Sequence, residues 1–239
     1  MKTWTLSDVA AHWDSVKDYD GANSTIDSYM RRFKDSAPLF SIPDKANVLE
    51  YDTRSGNGTA FFAKKYPSTE INWNCLASCQ SFVTQAKTRH EKNNVKSEIN
   101  QLMKLPMPFE DNFFDIILCF ETLEHMPNPK ELILELSRML KSQGTLVLTT
   151  PNVLWEPAHW ISATFHLDHG EGPHRMVRRK IILDGFKSAN LNILNEKSTV
   201  LVPVGPNWLI KFGGWLEKLF PERLMQILAL RRTFICQKI

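Results

Sequence analysis

Residues Val48 to Thr59, VLEYDTRSGNGT, constrain the fold more than any other stretch of the chain. Val48 and Leu49 form an apolar run that Glu50 closes, and from Asn57 a helical pattern begins. A strand, an acid, a tight loop and a helix make the opening of a strand–helix–strand unit, which leads to a parallel sheet. In the ligand-cradling form of that opening the loop reads G-x-G-x-G. Its glycines allow positive φ and let the backbone approach a ligand closely. Here the first two glycine places hold Asp52 and Arg54; Gly56 remains, with Gly58 just beyond. If the loop flares outward, both charged side chains face solvent. If it does not, they enter the space a ligand would fill.

The rest of the chain fits that opening. Its 239 residues, 43% of them hydrophobic and 23% charged, suit one globular domain over 1–239. A net charge of +3 is too small to argue for nucleic acid as a partner. Cys75, Cys79, Cys119 and Cys236 follow no disulfide framework; Cys75, Cys119 and Cys236, in apolar strand-like runs, read as buried thiols of a reducing cytosol, and Cys75-x-x-x-Cys79 has no second pair with which to build a metal site. The first residues carry Asp8 and Asp14 and lack the apolar core of a signal peptide. No apolar run reaches the roughly 18 residues of a membrane span. The expectation is a cytoplasmic protein.

Strand and helix signals alternate from Val48 onward. Strands are predicted at Val48–Asp52, Ile71–Leu76, Val95–Ile99, Phe114–Phe120 and Gly144–Thr149, with helices at about 57–65, 80–91 and 129–141. The last helix is the clearest, with Asn128 placed to cap it, Pro129 at its first position and Leu132 and Leu136 at helical spacing. Residues 1–45 read as a helical N-terminal cap, with Ser7-Asp8 and Ser24 or Thr25 as helix starts. Beyond Pro151 come a Trp- and His-rich segment at 152–175, a helix at 176–189, a strand at Ile193–Pro203 and an aromatic, basic insert within 204–230. Thr233–Gln237 is a final strand, separated by the insert and able to pair antiparallel. The fold class expected is a Rossmann-like α/β sheet of seven mostly parallel strands, helices on both faces, the last strand antiparallel.

Three segments carry a family resemblance: VLEYDTRSGNGT, LPMPFEDNFFDIILCFETLEHMPNP and ELSRMLKSQGTLVLTTPN. Over about Ala46 to Asn152 the chain resembles the class I S-adenosylmethionine (SAM) dependent methyltransferases, in particular the type-11 group. The resemblance implies a SAM site with four elements. Glu50 is the acid ending the first strand. The glycine loop is broken at Asp52 and Arg54. The acid that would hold the ribose falls on Ala77, and the acidic pair beside the adenine falls on Gln101 to Met103. Losing a carboxylate partner removes roughly 1.5–3 kcal/mol of hydrogen bonding. Arg54 within about 5 Å of a sulfonium adds roughly 3 kcal/mol of repulsion at an effective dielectric of 20.

Two functions follow as expectations. One is a pseudo-methyltransferase, or an enzyme repurposed for chemistry without SAM. The other is a divergent, active methyltransferase acting on a small metabolite. If SAM binds, Glu50, Gly56, Gly58 and Glu121 are the expected contacts, and His125 and His174 are the candidate acid–base groups. If the cleft takes an anion, Arg54 and Arg175 suit it, because a guanidinium matches carboxylate or phosphate. The run HLDHGEGPHRM gathers His166, Asp168, His169, Glu171, His174 and Arg175 without a standard metal spacing, so no metal is expected. The partner is expected to be a small ligand or another protein, with an oligomer possible. The insert at 207–230 could touch a membrane surface, although Glu217 and Glu222 would dilute the field of Lys211, Lys218 and Arg223.

Overall fold

The computed structural model describes residues 4–16, 19–24, 27–101, 104–157 and 172–239. Its centre is a seven-stranded sheet in the order β3-β2-β1-β4-β5-β7-β6. The strands are β1 (Ala46–Tyr51), β2 (Ile71–Ala77), β3 (Ser97–Gln101), β4 (Phe114–Phe120), β5 (Leu140–Pro151), β6 (Leu191–Thr199) and β7 (Arg231–Lys238). Strands β1 to β5 pair in parallel, and β7 runs antiparallel between β5 and β6. The expected architecture is therefore present.

Alternation along the strands sorts side chains onto two faces. Val48, Cys75, Ile116 and Leu118 share one core with Phe33, Phe62, Phe82 and Trp13. These come from α1 (Leu6–Ser15), α3 (Asp27–Lys34), α4 (Asn57–Lys65) and α5 (Gln80–Lys92). Leu49, Ile117, Leu146 and Leu148 share the other core with Leu132, Leu136, Ile182 and Phe186, from α6 (Pro129–Met139) and α7 (Arg179–Ser188). Each such side chain, fully buried, contributes about 1.5–3 kcal/mol. The short α2 (Tyr19–Ser24) belongs to the N-terminal cap, and the insert forms α8 (Asn207–Leu219) and α9 (Glu222–Leu228).

Several boundaries differ from the sequence expectation for local reasons. Helix α1 is capped by Thr5, two residues before the expected Ser7, because Thr5 and Asp8 form a reciprocal capping box. Strand β3 starts two residues late, because the Val95 N–H closes α5 on the His90 carbonyl at 2.9 Å. Strand β6 ends at Thr199 because Val200 takes φ +74°, a left-handed conformation rare for a β-branched residue. Asn128 precedes α6 but makes no side-chain cap bond, so Pro129 alone supplies the expected start signal.

Strand order reverses between β1 and β4. In open α/β sheets that switch point leaves a crevice outside the strands' carboxyl ends, and ligands bind there. The β1–α4 loop and the residues after β4 therefore border the candidate site.

Candidate functional site

The altered loop keeps the backbone of a glycine loop. Asp52, Arg54 and Gly56 have φ of +57°, +52° and +82°. Thr53 N–H donates to the Leu76 carbonyl at 2.8 Å, and Gly56 N–H to the Thr53 carbonyl at 2.9 Å, which fixes the turn. Non-glycine residues in this region cost about 1–2 kcal/mol each. The strain persists because the side chains are held by their surroundings. Both point inward: Arg54 is 6% exposed and Asp52 9%.

Arg54 spans the switch-point crevice. From the end of β1 its Nη2 donates to the Glu121 carbonyl, just past β4, at 2.7 Å. Its Nε lies 3.2 Å from Asp52 Oδ2, an ion pair without hydrogen-bond alignment. The guanidinium stacks 4.6 Å above the Trp13 ring and lies 5.8 Å from that of Tyr19. Helices α1 and α2 thus lay aromatic faces over a cation where the fold would seat a ligand. Cation–π contacts in such desolvated sites contribute about 2 kcal/mol. Beside these contacts is a cavity of about 30 Å³, bordered by Asp52, Ala77, Ser78, Thr122 and His125 among others, and a more open one of about 300 Å³ outside it shares Leu6 and Met126. Small-ligand pockets are usually about 300–1,000 Å³. The inner space holds a water or two.

Glu121 is the hub of the opposite wall. Its carboxylate receives Arg32 at 3.0 Å and also pairs with Arg231 Nε. With Arg54 on its carbonyl, three guanidinium groups converge on one residue, Asp52 being the other acid paired to them. Trp13, Tyr19, Arg32 and Arg231 are the site residues that sequence reading did not single out. Only Trp13 left a trace there, at helical spacing from Val9 on the apolar side of α1. The arginines are distant in sequence and meet only through strand order.

The other loop residues are explained by the protein itself. The Glu50 carboxylate accepts bonds from Thr53 Oγ1 at 2.7 Å, Thr59 N–H at 2.8 Å and Thr59 Oγ1 at 2.6 Å. Burial outweighs those donors and holds the carboxyl above its ordinary range. A Cβ on Gly58 would stand 1.9 Å from Glu50 Oε1, so this glycine makes room for the carboxylate. Gly56 packs against Ala86 and His90 of α5.

His90 gives this loop a pH dependence. Its Nε2 lies 3.1 Å from the Gly56 carbonyl and its Nδ1 2.7 Å from Ser97 Oγ, an arrangement that suits a neutral ring protonated on Nε2. Burial lowers its pKa below the ordinary value. The unfolded chain therefore takes up a proton first as pH falls. The stability His90 contributes is complete above about pH 6.5 and is lost as pH drops through the folded-state value. Urea unfolding across that window is expected to show a decline that His90→Gln flattens; an unchanged slope would contradict it.

His125 is buried, with Nδ1 3.2 Å from the Pro173 carbonyl and its ring 5.7 Å from Trp13 and 6.0 Å from His174. His174 Nδ1 lies 3.0 Å from the Gly172 carbonyl. The Arg175 guanidinium lies 5.7 Å from the Trp4 ring, and the Arg175 backbone N–H donates to the Glu124 carbonyl at 2.8 Å. Ala77 borders the small cavity, and Gln101 is exposed at the end of β3. His166, Asp168, His169, Glu171 and Met103 lie outside the described residues. The four cysteines are unpaired and buried, and burial lifts the thiols of Cys79 and Cys236 to about 12. Among the described residues no group of three or more His, Cys, Asp or Glu is arranged to hold a metal.

An open α/β sheet with a glycine-type loop at its switch point defines a nucleotide-cofactor class of fold. Comparison with known proteins narrows the class. Residues 54–148 match the family described as Methyltransferase domain. The ubiquinone biosynthesis O-methyltransferase of Rickettsia akari (strain Hartford) is 31% identical over 98 residues, which cover 41% of this chain and 38% of that protein. The geranyl diphosphate C-methyltransferase from Streptomyces coelicolor A3(2) superimposes with a TM-score of 0.69 at 12% identity, over 98% of each chain. The [4+2]-cyclase SpnF does so with a TM-score of 0.63 at 14% identity, over 87% of this chain and 80% of that one. The chain is similar in sequence to methyltransferases over these residues, spans well under half the length of the curated relatives it matches, and has the class I methyltransferase fold. The likeness speaks to the scaffold; the reaction depends on the site.

Proposed function

We propose that this chain is a cytosolic pseudo-methyltransferase, or an enzyme repurposed for chemistry without SAM. The observation that carries the proposal is the Arg54 bridge across the switch point. It puts a fixed positive charge and its aromatic cover where a positively charged sulfonium would have to sit. Ala77 supplies no carboxylate for a ribose diol, and Gln101 supplies none for the adenine side. The same fold is known in a protein named a [4+2]-cyclase, so it serves reactions other than methyl transfer. The four unpaired cysteines support a reducing compartment.

Calorimetric titration with SAM tests the proposal. The wild-type chain is expected to give no saturable heat at micromolar concentrations. The triple variant Asp52→Gly, Arg54→Gly, Ala77→Asp is expected to gain affinity by about tenfold or more, which is 1.4 kcal/mol. Micromolar binding by the wild type would overturn the proposal.

An active methyltransferase for a small metabolite is the alternative, and it is favoured by the activity in the names of the matched relatives. It requires Trp13, Tyr19 and Arg54 to leave the crevice together. The Glu50 wall, the Gly56 turn and Glu121 would then contact the cofactor, with His125 or His174 as base. Anion binding at Arg54 and Arg175 belongs to the first proposal, because it needs those cations to remain.

A further inference from the structure

We propose that the outer face of α8 docks on an anionic lipid bilayer. At about 100° per residue, Trp208, Phe212, Trp215 and Leu219 fall within an arc of about 60°. They are 68%, 48%, 53% and 58% exposed, where side chains of this size are normally covered. The Phe212 and Trp215 rings stack on each other at 5.6 Å, making a flat aromatic surface. The opposite side of the helix is its attachment to the protein, where Gly213 lets Val202 approach so closely that a Cβ would stand 2.7 Å away.

Charge separates along the same line. Lys211 and Lys218 are exposed and flank the aromatic arc on one side, and Arg223 is exposed on α9. On α8 itself the acid that would cancel them is turned away. Glu217 lies half a turn from the arc, and both its oxygens receive Arg31 of α3, at 2.9 and 2.5 Å, with the Leu201 N–H at 3.1 Å. Glu222 accepts the Ser198 N–H at 3.3 Å. The sequence suggested that these two acids dilute the basic field; folding draws Glu217 inward, while Glu222 stays exposed on α9 beside Arg223. Aromatic side chains beside outward cations are what an interfacial helix presents to anionic lipid. Among the described residues no helix is long and apolar enough to cross a membrane, so the contact is peripheral.

Sedimentation of the full chain with vesicles tests the inference. Phosphatidylcholine vesicles with about one-third phosphatidylglycerol are expected to capture the protein and shift its tryptophan emission to the blue; pure phosphatidylcholine is not. Trp208→Ser with Trp215→Ser is expected to weaken capture about tenfold or more. Lys211→Gln with Lys218→Gln is expected to weaken it roughly 30-fold on anionic vesicles, leaving the melting curve unchanged. Binding that ignores lipid charge, or wild-type capture of both double variants, would overturn the inference. So would light scattering that finds a dimer which the tryptophan variant converts to monomer, since the face would then join two copies of the chain. The lysine pair is exposed, so its result stands even if the tryptophan variant folds poorly.

Discussion

Replacing Arg54 by alanine is expected to destabilise the fold by about 3–5 kcal/mol, the usual cost of breaking a buried ion pair from one side. Asp52 would be left buried, its remaining polar contact being Thr122 Oγ1 at 3.5 Å. Trp13 and Tyr19 would lose the cation beneath them. The double change Asp52→Gly with Arg54→Gly is expected to lie closer to wild type than the single alanine variant, by about 2 kcal/mol. It removes both charges together and relieves two left-handed backbone positions at about 1–2 kcal/mol each. Urea unfolding of the three proteins measures this. A double variant as unstable as Arg54→Ala would mean that Arg54 acts by packing rather than by charge.

The second large effect is expected at Gly58. Gly58→Ala places its methyl group 1.9 Å from Glu50 Oε1 and 3.1 Å from Phe33 Cε1. Overpacking of a core costs about 1–3 kcal/mol, and displacing Glu50 from its donors at Thr53 and Thr59 adds about 1–3 kcal/mol more. A loss of about 3 kcal/mol is expected. Glu50→Ala removes the obstacle, so the two substitutions together are expected to cost less than their sum, with a coupling of about 1.5 kcal/mol or more. Strict additivity in denaturant melts would show that Gly58 is needed for some other reason.

The scaffold was legible because local signals agree with it. Apolar runs of strand length alternate with helical spacing, and Pro129 and Pro221 mark helix starts. The seven strands, the antiparallel last strand and the helices on both faces followed; the strand order came only from the folded chain. Boundaries differed by a few residues, and those at Thr5, Val95 and Val200 turn on a cap, a backbone bond and a dihedral that the pattern does not encode. The site was legible in part. The loop text showed that Asp52 and Arg54 stand in glycine places and that Ala77 lacks an acid. It did not show which way the two charged side chains point.

That direction was decided by tertiary structure. Arg54 turns inward because Trp13 and Tyr19 arrive from the N-terminal helices, while the Glu121 carbonyl waits across the switch point. Glu121 gathers Arg32 and Arg231, residues 199 positions apart in the chain (231 − 32), because β4 and β7 flank β5. Glu217 leaves the solvent for Arg31 for a similar reason. Periodicity and turn chemistry are local, so the sequence alone determined the sheet and its helices. Ion pairing and aromatic cover are made between distant segments, so only the folded chain determined what fills the crevice and what faces outward.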